Sequence, residues 1–169
     1  MDTFRDMLDG AGAWTSQFDL GDLQPIPRTR LAIVTCMDTR IDPLAIFGFA
    51  PGDVHILRNA GARVTADMLR SLIKSIDQLS VERVAVVHHT DCGAAKITLP
   101  VLRETVRSAT GNDPDDVDFH LIADPAAALS DDVEAVRSCP YLPVGTAVAG
   151  FTYDVETGVV TQSHSTFVG

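Results

Sequence analysis

Lysine is nearly absent from this chain. Lys74 and Lys96 are the only two, and Lys plus Arg total 13 against 23 Asp plus Glu, a net charge of −10. A nucleic-acid-binding domain concentrates basic side chains in a patch or stripe, and binding to an anionic membrane surface needs the same. Neither partner is expected. No apolar run approaches the roughly 20 residues of a spanning helix, so no membrane segment is expected either. Met1–Asp6 is mixed in charge and lacks an apolar core, unlike a secretory leader, so the expected location is cytoplasmic. Cysteine is scarce and odd in number, at three. A disulfide framework is therefore not expected, and metal binding or catalysis is the better use for at least two of them. Internal repeats, low-complexity tracts and linkers are missing too. With 46% apolar residues in 169, the chain reads as one folded domain, 1–169, with 1–24 as an N-terminal helix and arm.

The pattern is βαβαβ with a terminal hairpin. The arm, with Phe4, Leu8, Trp14 and Phe18, packs either on a neighbouring subunit or on its own domain; Gln24-Pro25-Ile26-Pro27 is a stiff connector. Leu31 to Thr35 reads as a buried strand. Asp42-Pro43 is a cap followed by proline at the first helical position, and that short helix ends near Gly48. Val54 to Leu57 is the second strand, followed by the loop Arg58-Asn59-Ala60-Gly61. Thr65 caps a helix whose apolar residues Met68, Leu69, Leu72, Ile73, Ile76 and Leu79 recur at helical spacing. Arg83 to Val87 is the third strand. A helix beginning near Gly93 would place its positive end beside Cys92 and favour a thiolate there. Residues 109–118 form an acidic loop, a solvated face rather than a calcium loop, since the EF-hand spacing and closing glutamate are missing. Asp124 to Arg137 is a helix. Val144 to Val155 and Val159 to Thr166 are strands joined by a tight turn. The fold class is α/β: a mostly parallel central sheet flanked by helices, with a C-terminal hairpin strand.

Two short segments carry the chemistry. Cys36-Met37-Asp38-Thr39-Arg40 and His89-Thr90-Asp91-Cys92-Gly93 each follow an apolar strand. Two thiols and an imidazole therefore stand at the carboxyl edge of an open sheet, where ligands bind. Zinc takes such donors in tetrahedral geometry, and three protein ligands leave one position open, the mark of a catalytic site. His89 and Cys92 lie three apart where strand turns into helix, and Cys36 lies 53 residues before His89. An acceptor carboxylate at Asp38 suits water activated by a metal, and Arg40 can orient it through a bidentate pair and keep it ionised.

The pattern C-x-D-x-R, then H-x-x-C-G about fifty residues later, resembles the β-class carbonic anhydrases. Arg58-Asn59-Ala60-Gly61 and Gly150-Phe151-Thr152-Tyr153-Asp154-Val155-Glu156-Thr157-Gly158 are similar to further stretches of that family. His88-His89-Thr90-Asp91-Cys92-Gly93 resembles a compact bacterial branch. The likeness spans roughly residues 30–160. It implies that Cys36, His89 and Cys92 hold Zn2+, that Asp38 and Arg40 form the catalytic dyad, and that the chain assembles as a homodimer or higher homo-oligomer. It also implies a closed form, in which Asp38 leaves Arg40 for the metal. The glutamine and extra pocket aromatics of the plant-like branch have no placeable equivalents here.

The remaining candidates stay open. Asn59, Ala60 and Gly61 either line a substrate pocket with backbone N–H groups or form a structural turn. His88 belongs on the face opposite His89, in the core or behind the ligands. Asp91 hydrogen-bonds locally at its turn. His55, His120 and His164 take surface or packing roles, with proton transfer by one of them as the alternative, and Cys139 is a bystander. A phosphatase-type nucleophile at Cys36 fails because only three residues separate it from Arg40. The leading expectation is a zinc lyase interconverting carbon dioxide and bicarbonate, with hydroxide generated at the metal attacking carbon. The first alternative is a carbonyl sulfide or carbon disulfide hydrolase using the same site, and the second a non-catalytic zinc- or bicarbonate-binding protein.

Overall fold

A computed structural model describes residues 3–169, with only the backbone of His164. Met1 and Asp2 of the N-terminal reading, and the side-chain role of His164, lie outside the described residues. Helix α1 is Arg5–Thr15. Strand β1 (Leu31–Cys36), helix α2 (Pro43–Phe47) and strand β2 (Val54–Asn59) follow. A single 3-10 turn, Ala60–Ala62, leads to α3 (Ala66–Asp77) and β3 (Arg83–His89). Then come α4 (Gly93–Lys96), α5 (Leu99–Thr110), α6 (Pro125–Arg137), β4 (Ala147–Tyr153) and β5 (Val160–Phe167).

The strands form one sheet in the order β2-β1-β3-β4-β5. The first four are parallel and β5 pairs antiparallel with β4, the expected α/β class. The chain steps outward from β1 to β2, then crosses back to β3 on the other side of β1. Strand order thus reverses between β1 and β3, and a crevice opens beyond their carboxyl ends. Cys36 ends β1 and His89 ends β3, so topology alone sets both at that crevice.

Alternation along the strands divides the core. Ala32, Val34, Val84 and Val86 pack with Met68, Leu72 and Ile76 of α3 and with Leu129, Val133 and Val136 of α6. Ile33, Ala85 and Val87 face the other way, toward Phe47, Phe49 and Phe151. The helices start where sequence chemistry provides a cap. Asp42 accepts from Leu44 N–H (3.1 Å) and Ala45 N–H (3.3 Å), Thr65 Oγ1 from Met68 N–H (3.3 Å), and Asp124 from Ala126 and Ala127 N–H (2.9 and 3.1 Å). Gly48, at φ 67, closes α2 in the left-handed conformation that favours glycine.

Several boundaries differ from the sequence reading. β3 runs two residues further, through His89, because β4 continues the ladder with His88 opposite Thr152 and His89 opposite Tyr153. The helix expected from Gly93 is only four residues long. Continued, it would bring the Pro100 ring against the carbonyl of Lys96; the chain instead becomes extended at Ile97 and Thr98 and restarts as α5 with proline in its first turn. Ala109 and Thr110 belong to α5, so the acidic loop begins at its cap, Gly111. β4 starts at Ala147 rather than Val144, after a turn that takes Gly145 to φ 90. Helix α1 buries none of its residues. The connector behind it is anchored, with His55 Nε2 donating to Pro25 O (2.8 Å) and Arg28 Nε to Asp53 (2.7 Å).

Candidate metal centre

Cys36, His89 and Cys92 converge. They come from the end of β1, the end of β3 and the residue capping α4, and all are buried. Their ligand atoms lie within 4.8 Å of one another. Among the described residues, neither ring nitrogen of His89 meets a hydrogen-bond partner, although both are buried. An unsatisfied buried polar group costs about 1–3 kcal/mol, and a cation at the centre of the cluster would relieve one nitrogen directly. Soft thiolates with an imidazole are a donor set that suits zinc. Cys36, His89 and Cys92 therefore fit the metal by chemistry as well as by proximity.

The two sulfurs are not equivalent. The hydrogen bond from Cys92 pulls the Cys36 thiol down to about 3 against the effect of burial, and the Gly61 N–H, 3.3 Å from Cys36 Sγ, adds to it. The Cys92 thiol is pushed up, first by the Cys36 sulfur and then by its own burial. The helix-end thiolate expected at Cys92 is thus opposed by the sulfur beside it. A four-residue helix has little dipole, and a second anion beside the Cys36 thiolate is repelled. Loading a divalent cation would draw off the remaining proton.

Asp38 and Arg40 are paired. Arg40 donates from its backbone N–H (2.9 Å) and Nε (3.0 Å) to Asp38 Oδ1, and from Nη2 to Oδ2 (2.8 Å). The guanidinium holds the Asp38 carboxyl well below the usual carboxylate range, so it is an anion and a pure acceptor at neutral pH. The separation of the two that would mark a closed site is not seen. Arg40 also donates to Asp91 Oδ2 (2.9 Å) and Asp91 O (3.2 Å), and Asp91 is ion-paired with Lys96. The local turn role expected for Asp91 is therefore incomplete: it ties the dyad to the turn between His89 and Cys92. Arg58 is another residue whose role sequence reasoning missed. Its Nε donates to Cys36 O (2.8 Å) and its Nη2 to Asp38 O (2.7 Å), stitching β2 to the loop that carries both groups.

A cavity of about 570 Å³ contains Cys36, Asp38, Arg40 and Cys92, with Ala60 and Gly61 in its wall. Ile97, Leu102, Phe119 and Leu121 add apolar lining to the same cavity. Leu102 comes from α5 and Ile97, Phe119 and Leu121 from the loops on either side of it, and no chemistry-bearing side chain marks them in the sequence. His89 lines a second cavity of about 430 Å³ that shares Gly61 and Cys92, so the cluster stands in the partition between the two. Asn59 lies elsewhere, in a groove with Arg58 and Arg63, where its Nδ2 donates to Arg63 O (2.7 Å). Gly61 is needed as glycine. Its φ is 82, and a Cβ there would meet Ala94 Cβ at 3.2 Å and Ile122 Cδ1 at 3.3 Å.

The other marked residues serve packing or tethering. His88 is buried against Asp132 of α6, 3.0 Å from Nε2 to Oδ2. His55 bridges Pro25 and Ser75, and His120 pairs with Asp118 at 3.4 Å. Cys139 is a buried free thiol in the α6 side of the core.

Known proteins place this architecture. The sequence model described as carbonic anhydrase matches residues 31–115. β-Carbonic anhydrase 1 of Mycobacterium tuberculosis is 32% identical over 142 residues, covering 84% of this chain and 86% of that protein. A carbonic anhydrase structure from Streptococcus mutans superposes with a TM-score of 0.91 at 37% identity, covering 97% of this chain and 99% of that one. The carbon disulfide hydrolase of Saccharolobus solfataricus is also a relative, 29% identical over 182 residues, with 87% and 84% coverage. With its parallel sheet, its Cys-His-Cys cluster and these matches across most of its length, the chain belongs to the β-carbonic anhydrase family of enzymes.

Proposed function

We propose that this chain hydrates carbon dioxide reversibly to bicarbonate at a zinc ion held by Cys36, His89 and Cys92, with Asp38 and Arg40 as the catalytic dyad. The observation that carries this reading is a buried soft-donor cluster whose two thiols, Cys36 and Cys92, line the same cavity as a carboxylate locked in an arginine fork. Zinc bound there supplies the Lewis acidity that makes water a nucleophile near neutral pH. Asp38, ionised and held on both oxygens by Arg40, accepts a hydrogen bond from the reacting water and orients its lone pair. Arg40 is held in turn by Asp91, so the acceptor does not drift. The Gly61 N–H fixes Cys36 Sγ. Ile97, Leu102, Phe119 and Leu121 give a small apolar substrate a wall that offers no competing hydrogen bonds. The test is stopped-flow carbon dioxide hydration across pH, before and after chelation and zinc return. Full activity in metal-stripped protein refutes the scheme.

The same apolar wall supports a second reading, hydrolysis of carbonyl sulfide or carbon disulfide, in keeping with the hydrolase relative. The charged Arg40 beside the cavity, 44% exposed, favours the first, because a bicarbonate product is an anion. Turnover of carbon dioxide and of the sulfur substrates by one preparation separates them.

The chain is read as a single domain, 1–169, working as a homodimer or larger homo-oligomer. α1 leaves Phe4, Met7, Leu8 and Trp14 exposed, and an apolar cavity of about 330 Å³ opens on the sheet face beside Phe47, Phe49, Phe151 and Phe167. Sedimentation velocity tests this; a monomer at micromolar concentration refutes it. A cytoplasmic location suits three free thiols, two of which must stay reduced to bind metal.

A further inference from the structure

We propose that Asp132, far along α6 and outside the cavity, is a positioning residue that holds the two halves of the metal centre in register. This rests on the zinc reading above. Asp132 is 3% exposed, and a buried carboxylate is costly unless paired and hydrogen-bonded. Oδ1 accepts the Val64 N–H at 2.7 Å. Oδ2 faces His88 Nε2 at 3.0 Å, and Arg63 Nε lies 2.9 Å from it as an ion pair, its N–H out of line for a hydrogen bond.

Those contacts reach two segments. Arg63 and Val64 directly follow the Ala60–Ala62 turn, whose Gly61 N–H donates to Cys36 Sγ. His88 directly precedes His89, and strand alternation sends the two side chains to opposite faces. Anchoring the His88 ring therefore fixes the twist of β3 at its last residue and with it the direction of the His89 ring. Among the described residues, that ring meets no hydrogen-bond partner of its own to orient it. Asp132 thus supplies at one remove what ligand histidines usually receive from a direct partner. Stability alone does not explain a charge here. Its α6 neighbours Leu129, Val133 and Val136 are core residues, and replacing a buried ion pair by packed apolar side chains is often neutral or stabilising.

Asp132→Asn keeps size and shape but removes the charge facing Arg63 and His88. The expected result is a cooperatively melting variant that binds zinc about tenfold more weakly in competition with a chromophoric chelator. Its cobalt(II) form should show displaced thiolate-to-metal charge-transfer bands, and Asp132→Glu should recover part of the affinity. A folded Asp132→Asn protein with parental zinc affinity and parental cobalt spectrum overturns the proposal and leaves the zinc reading standing. A parent that binds neither ion overturns both. Where Asp132→Asn does not fold, His88→Gln, which retains an N–H for Oδ2, is compared with His88→Leu, which does not. Weaker zinc binding in the leucine variant alone supports the proposal, and equal affinity in the two overturns it.

Discussion

Replacing Gly61 by alanine tests the geometry of the centre without touching a ligand. Two costs add. The backbone at φ 82 disfavours any side chain by roughly 1–2 kcal/mol. The new methyl would also sit 3.2 Å from Ala94 Cβ, 3.3 Å from Ile122 Cδ1 and 3.4 Å from Arg63 Cγ. Ile122 and Arg63 can move. Ala94 Cβ has no rotamer to change, so α4 itself must shift, and Cys92 caps that helix. Crowding of this kind costs about 1–3 kcal/mol, for a total of about 2–5 kcal/mol. In a domain of this size that lowers Tm by on the order of 10 °C. Gly111→Ala is the control. Its φ is 77 but nothing lies within 4 Å of its Cβ, so it should carry only the backbone cost. Calorimetry of both variants, with zinc affinity measured by chelator competition, separates strain from crowding. Gly61→Ala should lose both stability and zinc affinity, and Gly111→Ala stability alone. Equal melting temperatures and unchanged zinc binding in the two variants would refute the claim that close packing at Gly61 sets the centre.

Asp38→Asn should keep its fold and its zinc and lose kcat by about a hundredfold or more, measured by stopped flow with metal content determined on the same sample; a parental rate rules out its role as acceptor. Acid should destabilise the protein partly through Asp53, whose carboxyl is held below its ordinary 3.8 first by the Ala50 N–H and further by Arg28. A depressed folded-state value means the stabilisation is complete above about pH 4 and is lost as pH falls through the lower folded value, so urea melts from pH 6 to pH 3 should show a shallower decline for Asp53→Asn than for the parent. An identical decline would count against that linkage. Leu72→Ala, at a site with 0% exposure, should cost about 2–5 kcal/mol in guanidinium unfolding without changing zinc affinity.

The parts legible in the sequence were those whose cause is local. Caps at Asp42, Thr65 and Asp124, the helical spacing of Met68, Leu72 and Ile76, and the strand-then-ligand order at Cys36 and His89 each depend on neighbours a few residues away. Where a distant residue intervenes, reading along the chain falls short. β3 runs to His89 because β4 pairs there. Asp91 reaches Arg40 across 51 positions. The Cys92 thiol is pushed up by a sulfur from another strand, which a local argument from a helix end does not contain. Ala60 lines both the site cavity and the groove beside Arg58 and Arg63, whereas Asn59, its neighbour in sequence, lines the groove alone.

By itself the sequence determined the donor types, their order and the strand ends that carry them, because ligand chemistry and strand periodicity are written in residue identity and spacing. Tertiary structure alone decided that the Cys36 and Cys92 sulfurs oppose each other's ionisation, that Arg40 is shared between two carboxylates, that Ile97, Leu102, Phe119 and Leu121 wall the cavity, and that Asp132 spans both halves of the centre from behind. The physical reason is that electrostatics and packing act through space over a few ångströms, and folding brings to that range groups that the chain keeps tens of residues apart.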